Sequence, residues 1–222
     1  MDAEPYESRG FYRTLGLKSH QGGESEWFNK STWVQRDICG REPFPFRDKS
    51  IDFAVCSHTL EDIRDPLWVC SELIRVAKRG YVEVPSREWE TCRGQERRNE
   101  AGLSHHRWLI EIEGQRINFL MKYHMIHSHW RFSFPRSFAR QLPPERSVQW
   151  LWWHDDFDFE ETTLHGVLMQ ERELERFVET THPYPAWQLS LDRYSRESCS
   201  LVSRAISKLG RTFRNYSSPH RK

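Results

Sequence analysis

The pattern of apolar and polar positions is sharpest between Pro45 and Ser86, PFRDKSIDFAVCSHTLEDIRDPLWVCSELIRVAKRGYVEVPS. Two short apolar runs, Ile51–Cys56 and Gly80–Pro85, are rich in β-branched and aromatic residues and bounded by turn signals, which predicts strands. Between them Pro66 opens a helix, with Leu67, Val69, Cys70, Leu73, Ile74 and Ala77 at helical spacing. Lys78 and Arg79 fall in its expected last turn and Gly80 at its end. Such a strand–helix–strand unit implies two parallel strands joined by a crossover.

The rest of the chain is patterned less strongly. Phe11–Gly16 reads as a short helix or turn and Thr32–Asp37 as a short strand. Glu42–Phe46 makes an extended link, because Pro43 and Pro45 bias their predecessors away from helix. Ser86–Glu100 is charged and aperiodic, a surface loop or lid. His106–Glu113 and Arg116–Tyr123 predict a β-hairpin around a Gly-containing turn, and Phe132–Pro144 a connector. Ser147–His154 and Phe157–Glu161 predict two strands around Asp155–Asp156, either as the last antiparallel pair of the main sheet or as an extension of the hairpin layer. Trp150, Trp152 and Trp153 are expected in the core. A helix is expected over Met169–Val178, and His182–Trp187 closes the compact part. From Leu189 onward Ser, Arg and Lys dominate, with Leu201, Val202, Ala205, Ile206 and Leu209 at helical spacing before Gly210. The expected organisation is thus an α/β domain over 1–188, with a hairpin insertion around 87–130, and a basic tail over 189–222, helical or disordered.

The words inside the central unit resemble a family. Pro45, Phe46, Asp48, Ser50, Asp52, Val55, Ser57, Leu60 and Glu61 follow, in order, the fourth-strand region of class I S-adenosylmethionine (SAM)-dependent methyltransferases of the type 11-like group, with Asp62 where His is usual. The resemblance covers roughly Asp2 to Ser86. It implies a Rossmann-like, mostly parallel sheet, here with an added antiparallel hairpin layer and a C-terminal helix. It also implies a first strand and a Gly-rich cofactor loop. Nothing before Asp37 supplies these, since Gly22 and Gly23 sit in a polar stretch with no strand in front. The sheet is therefore expected to be truncated at its N-terminal edge and SAM binding to be weak or absent.

The resemblance assigns candidate residues. Asp37, with the apolar Ile38 after it, stands where the family contacts adenine; a plain turn aspartate is the alternative. Asp2 or Glu4 would hold the ribose hydroxyls, unless they are merely solvated. Ser57 lies just past the fourth strand, where open α/β sheets bind ligands. His58 is a candidate base or acceptor-positioning group, or else a loop-shaping histidine. His105 and His106 are candidates for lining the acceptor pocket or taking a proton, against a plain packed loop. Glu61, Asp62, Arg64 and Asp65 read as a cap and ion-pair cluster. His124, His127 and His129 form an H-x-x-H-x-H run without a companion set of Cys or carboxylates, so no metal site is expected.

Composition narrows the function classes. With a formal net charge of +1 and no basic–aromatic motif, nucleic-acid binding is not expected. No apolar run reaches the roughly 18–20 residues that span a bilayer. Cys39, Cys56, Cys70, Cys92 and Cys199 lack paired spacing, which fits reduced thiols in the cytoplasm. The expected activity is methyl transfer to a small-molecule or saccharide acceptor; a non-catalytic binding protein on the same fold is the alternative. The basic tail is a candidate for docking on a protein partner, an anionic membrane surface or its own domain.

Overall fold

The computed structural model describes residues 1, 3, 5–7 and 28–182. Asp2, Glu4, the Phe11–Gly16 segment, the Gly22–Gly23 pair and the basic tail lie outside the described residues. The chain divides into two compact units, Met1–Leu174 and Glu175–Lys222.

The central unit folds as the pattern predicts, except that the first strand begins at Ala54 rather than Ile51, which makes only an isolated bridge to Ala77. Strand β1 (Ala54–Ser57) runs parallel to β2 (Arg79–Pro85), with Ala54 opposite Gly80 and Ser57 opposite Glu83. Helix α1 (Pro66–Val76) crosses between them. Asp65 caps it, accepting a hydrogen bond from Trp68 N at 3.1 Å, and Pro66 occupies the first turn. Val69, Cys70, Leu73 and Val76 are buried with Leu60, Val82 and Val84 in one core.

The helix stops earlier than expected. Ala77 is its C-cap, and Lys78, Arg79 and Gly80 belong to the approach and body of β2. Gly80 serves the sheet rather than the helix end. A Cβ there would lie 2.5 Å from Ala54 O and 2.8 Å from the Trp153 ring.

Arg75 ties the proline-rich approach to α1. Its guanidinium donates to both Glu72 oxygens at 2.7 Å, to Asp48 Oδ1 at 2.8 Å, and to the carbonyls of Phe44 and Phe46 at 3.0 Å. Glu72 also accepts from Phe44 N at 2.5 Å.

The sheet is mixed rather than mostly parallel. Strand β5 (Val148–His154) adds antiparallel to β2, giving the order β1-β2-β5. A second three-stranded sheet, β3-β4-β6, holds the expected hairpin of β3 (Trp108–Glu113) and β4 (Arg116–Met121), with β6 (Asp158–Thr162) parallel to β4. The two strands around Asp155–Asp156 therefore part company: the turn carries the chain from one sheet to the other. Gln149 on β5 joins the sheets, accepting from Ile112 N at 2.8 Å and donating to Ile110 O at 3.0 Å. Trp108, Ile110, Ile117 and Phe119 complete the core under β1-β2-β5, whereas Leu109 and Leu120 face a smaller cluster with Ala101, Ile126, Phe132 and Leu174.

Three further expectations are corrected. Thr32–Asp37 is not a strand: a 3₁₀ turn, Lys30–Thr32, capped by Asn29, precedes a single bridged residue at Gln35. Ser86–Glu100 is not a surface loop throughout. It opens with helix α2 (Arg87–Thr91), capped by Ser86, and Arg87, Glu90 and Thr91 are buried. Arg87 reaches Glu111 at 2.8 Å and Glu173 at 3.0 Å. Of the tryptophans on β5 only Trp153 is in the core. Trp150 and Trp152 stay exposed, because successive side chains of a strand point to opposite faces.

Two four-residue helical turns, α3 (Arg136–Ala139) and α4 (Pro144–Ser147), lead into β5, and helix α5 (Val167–Thr181) follows β6. Cys39, Cys56, Cys70 and Cys92 are free and buried, as expected of structural thiols. Among the described residues no helix is long and apolar enough to cross a membrane.

Candidate functional site

Strands β1 and β2 end side by side, and the loop after β1 turns sharply. His58 takes a left-handed backbone, φ 47°, while its N–H donates to Glu83 O at 3.0 Å. That turn sends residues 59–65 back over the strand ends. Glu61 O then accepts from Arg107 N at 2.6 Å and from Trp108 N at 3.2 Å, which brings His105 and His106 beside Asp62. Trp108 Nε1 donates to Ile63 O at 2.9 Å and locks the same junction.

These anchors enclose a cavity of about 530 Å³ with His58, Glu61, Asp62, Trp89, His105 and His106 in its wall. His58, half-buried, has Glu61 Oε1 3.5 Å from Nδ1 and Glu83 Oε1 3.4 Å from Nε2. The Glu61 carboxylate, helped by Glu83 and Asp62, holds the imidazole above its usual pKa despite the opposing effect of burial. Glu83 accepts from Tyr81 Oη at 2.5 Å and from Ser57 Oγ at 3.0 Å. Tyr81, and then Ser57 and His58, keep the Glu83 carboxyl below its ordinary value. Ser57 thus acts through Glu83 on the rim of the site.

His106 is buried and fixed from behind. Its Nδ1 lies 2.6 Å from Glu90 Oε1, and Glu90 Oε2 is 2.8 Å from Lys122 Nζ, which also donates to Leu103 O at 2.8 Å. On the other side His106 Nε2 is 3.4 Å from Asp62 Oδ1, and the exposed His105 reaches the same oxygen at 3.8 Å. Asp62 and Glu61 are therefore not helix caps; that role is Asp65's alone.

A second cavity, of about 520 Å³, is lined by Cys39, Gly40, Arg41, Arg64, Leu67 and Trp108 among others; the remaining candidates, Asp37 and Ile38, directly precede its lining in the chain but are not part of it. Asp37 Oδ1 accepts from Cys39 N at 2.8 Å, shaping the turn, and its other oxygen lies 3.9 Å from Arg64. Ile38 packs against the core. Arg64 donates to Cys39 O at 2.6 Å, so the 58–65 loop borders both cavities. Asp2 lies outside the described residues.

The structure thus brings His58, His105 and His106 to one cavity and leaves Asp37 and Ile38 outside it, beside the turn that begins the lining of the other. Sequence reasoning missed Glu90 and Lys122. The buried positions of α2, Arg87, Glu90 and Thr91, have helical spacing but are polar, so hydrophobic periodicity passes over them. In the H-x-x-H-x-H run, His127 Nδ1 accepts from Ala101 N at 3.0 Å and His129 Nδ1 from Arg131 N at 3.2 Å.

Comparison with known proteins bears on the front of this architecture. The family model described as a methyltransferase domain matches residues 15–82, about a third of the chain. The match takes in His58, Glu61 and Asp62 of the first cavity and ends inside β2, before Trp89, His105 and His106. No curated protein and no solved structure matches the chain. Over residues 15–82, with β1, α1 and most of β2, the chain is therefore similar to a methyltransferase domain, which supports the resemblance to the class I SAM-dependent methyltransferases.

Proposed function

We propose that this protein transfers a methyl group from SAM to a small-molecule acceptor, saccharides included, bound in the His58–His106 cavity. The observation that carries the reading is where this cavity lies. It opens at the carboxyl ends of the parallel pair β1–β2, the edge at which open α/β sheets bind ligands, directly behind the matched segment. Its volume suits a small molecule rather than a polymer.

The second cavity suits an adenosyl group. Leu67 and Trp108 offer apolar surface in its wall, and Asp37, outside the wall but 3.9 Å from the lining residue Arg64, keeps an exposed carboxylate that can accept from an amine. Bound SAM supplies a methyl group already activated on a sulfonium, so the protein's main task is alignment. The acceptor's oxygen or nitrogen forms the new bond to the methyl carbon as the carbon–sulfur bond breaks. S-adenosylhomocysteine leaves, and the acceptor's proton passes to neutral His58, whose imidazolium is then stabilised by Glu61 and Glu83.

Calorimetric titration with SAM and S-adenosylhomocysteine tests this reading, followed by transfer of labelled methyl to a panel of small acceptors. The expected result is saturable binding of both, no tighter than micromolar (about −8 kcal/mol). His58→Asn should abolish transfer and keep cofactor binding. Absence of saturable binding would leave the alternative, a non-catalytic binding protein. That alternative draws on a different observation: Val55, Trp150 and Trp152 are exposed on the β1-β2-β5 sheet, with Phe53, just before β1, exposed beside Trp152.

A further inference from the structure

We propose that Asp62, His105 and His106 hold a divalent transition-metal ion of the zinc or cobalt class, with its remaining coordination positions open to the His58 cavity. Each residue offers one ligand atom, and these atoms lie within 4.8 Å of one another. The Asp62 Oδ1–His106 Nε2 separation, 3.4 Å, matches the edge of a tetrahedron with metal bonds near 2 Å, about 3.3 Å. The Asp62 Oδ1–His105 Nε2 separation, 3.8 Å, closes to that length by a small rotation of an exposed side chain.

The second argument is the tautomer of His106. Glu90 Oε1, itself held by Lys122, sits 2.6 Å from Nδ1. A carboxylate only accepts, so the neutral imidazole carries its proton on Nδ1 and presents the Nε2 lone pair to the Asp62 oxygen. A carboxylate behind a histidine that faces a shared site is how metal-binding imidazoles are oriented. Two acceptors facing each other at 3.4 Å repel unless a metal ion or a proton lies between them.

An independent observation comes from Glu61. Its side chain is 2% exposed and lies in the wall of the same cavity, yet neither carboxylate oxygen makes a hydrogen bond; the His58 imidazole stands 3.5 Å away. Asp62 Oδ1 is likewise buried without a hydrogen bond. Two adjacent carboxylates in this state call for compensating positive charge, and a divalent ion on Asp62 and the two histidines supplies it. The backbone bonds from Arg107 and Trp108 to Glu61 O hold the two ligand-bearing segments together without the ion, so the site is largely pre-formed.

Cobalt(II) titration of the full chain, followed by visible absorption and calorimetry, tests the proposal without recourse to methyl transfer or SAM. One equivalent should bind at micromolar Kd or tighter, with the intense absorption of four- or five-coordinate cobalt. His105→Ala, an exposed position, and Asp62→Asn should each weaken binding at least 100-fold, and Glu90→Gln by roughly 10–100-fold. A His124→Ala/His129→Ala double variant should bind as the parent does. No saturable binding by the folded parent overturns the proposal and leaves a plain His106–Asp62 ion pair. Binding retained in His105→Ala, or lost in the His124/His129 variant, overturns it too.

Discussion

Lys122 Nζ and Glu90 Oε2 form a 2.8 Å ion pair in which both side chains are at most 2% exposed. The pair joins α2 to the end of β4 and positions His106. Gly102 makes room for it: a side chain there would fall on Glu90 Oε2 and 2.7 Å from Lys122 Nζ, at a backbone φ of +60°. Removing one partner of a buried pair leaves an uncompensated charge. Lys122→Met should therefore cost about 3–5 kcal/mol in urea unfolding. The Glu90→Gln/Lys122→Met double variant should lose less than the sum of the two single changes. An additive result would mean that the two groups are not coupled.

Gly80 should not tolerate a methyl group. Alanine would press on the Ala54 carbonyl and on the Trp153 ring, one of them backbone and the other locked in the core. Gly80→Ala is expected to destabilise by at least about 1–3 kcal/mol, the usual cost of overpacking. Near-ultraviolet circular dichroism should change with it as Trp153 is displaced. An unchanged melting temperature would show that β1 and β2 do not approach as closely as described.

Acid should loosen the fold in two stages. The partly buried His127 accepts a backbone hydrogen bond on Nδ1, and its burial, aided by Lys122, lowers its pKa. Its neutral form is favoured in the folded state, so its contribution is present above the unfolded value, near 6.5, and is lost as pH falls below it. Hydrogen bonds from Arg75, and then from Phe44 N, outweigh burial and hold Glu72 below the ordinary carboxylate range. That contribution is present above about 4.5 and is lost as pH falls through the depressed value. Melting temperatures between pH 7 and 3 should fall in both ranges. Glu72→Gln should flatten the lower stage and cost on the order of 2 kcal/mol at neutral pH. A lower stage unchanged in that variant would remove Glu72 from the account.

His58 combines an unusual backbone with a reactive side chain, and two substitutions separate them. Asparagine adopts the left-handed region readily, whereas a β-branched residue does so at a cost of about 1–2 kcal/mol. His58→Asn should keep the parent's stability within about 0.5 kcal/mol, and His58→Val should fall by the larger amount. Equal stabilities would show that the turn after β1 does not require φ 47°.

The chain's own pattern determined the local elements. Pro66 and the 3–4 spacing of Leu67 to Ile74 made α1, two β-branched runs made its flanking strands, and Gly114–Gln115 between alternating residues made the hairpin. These follow from short-range preferences and from periods of 3.6 and 2 residues, which a sequence carries on its face. Only the tertiary structure decided that Gly80 is hemmed in by β1 and a core tryptophan rather than serving the helix end, that β5 and β6 part to different sheets, and that Glu90 is a core residue. Each depends on a partner far along the chain: Trp153 against Gly80, Gln149 against β3, Lys122 and His106 around Glu90. A buried charge looks like a surface charge until its counter-charge arrives, because its burial is stable only once both are in place. For that reason His58, His105 and His106 were nameable one by one, while the carboxylates that orient them came into view only with the fold.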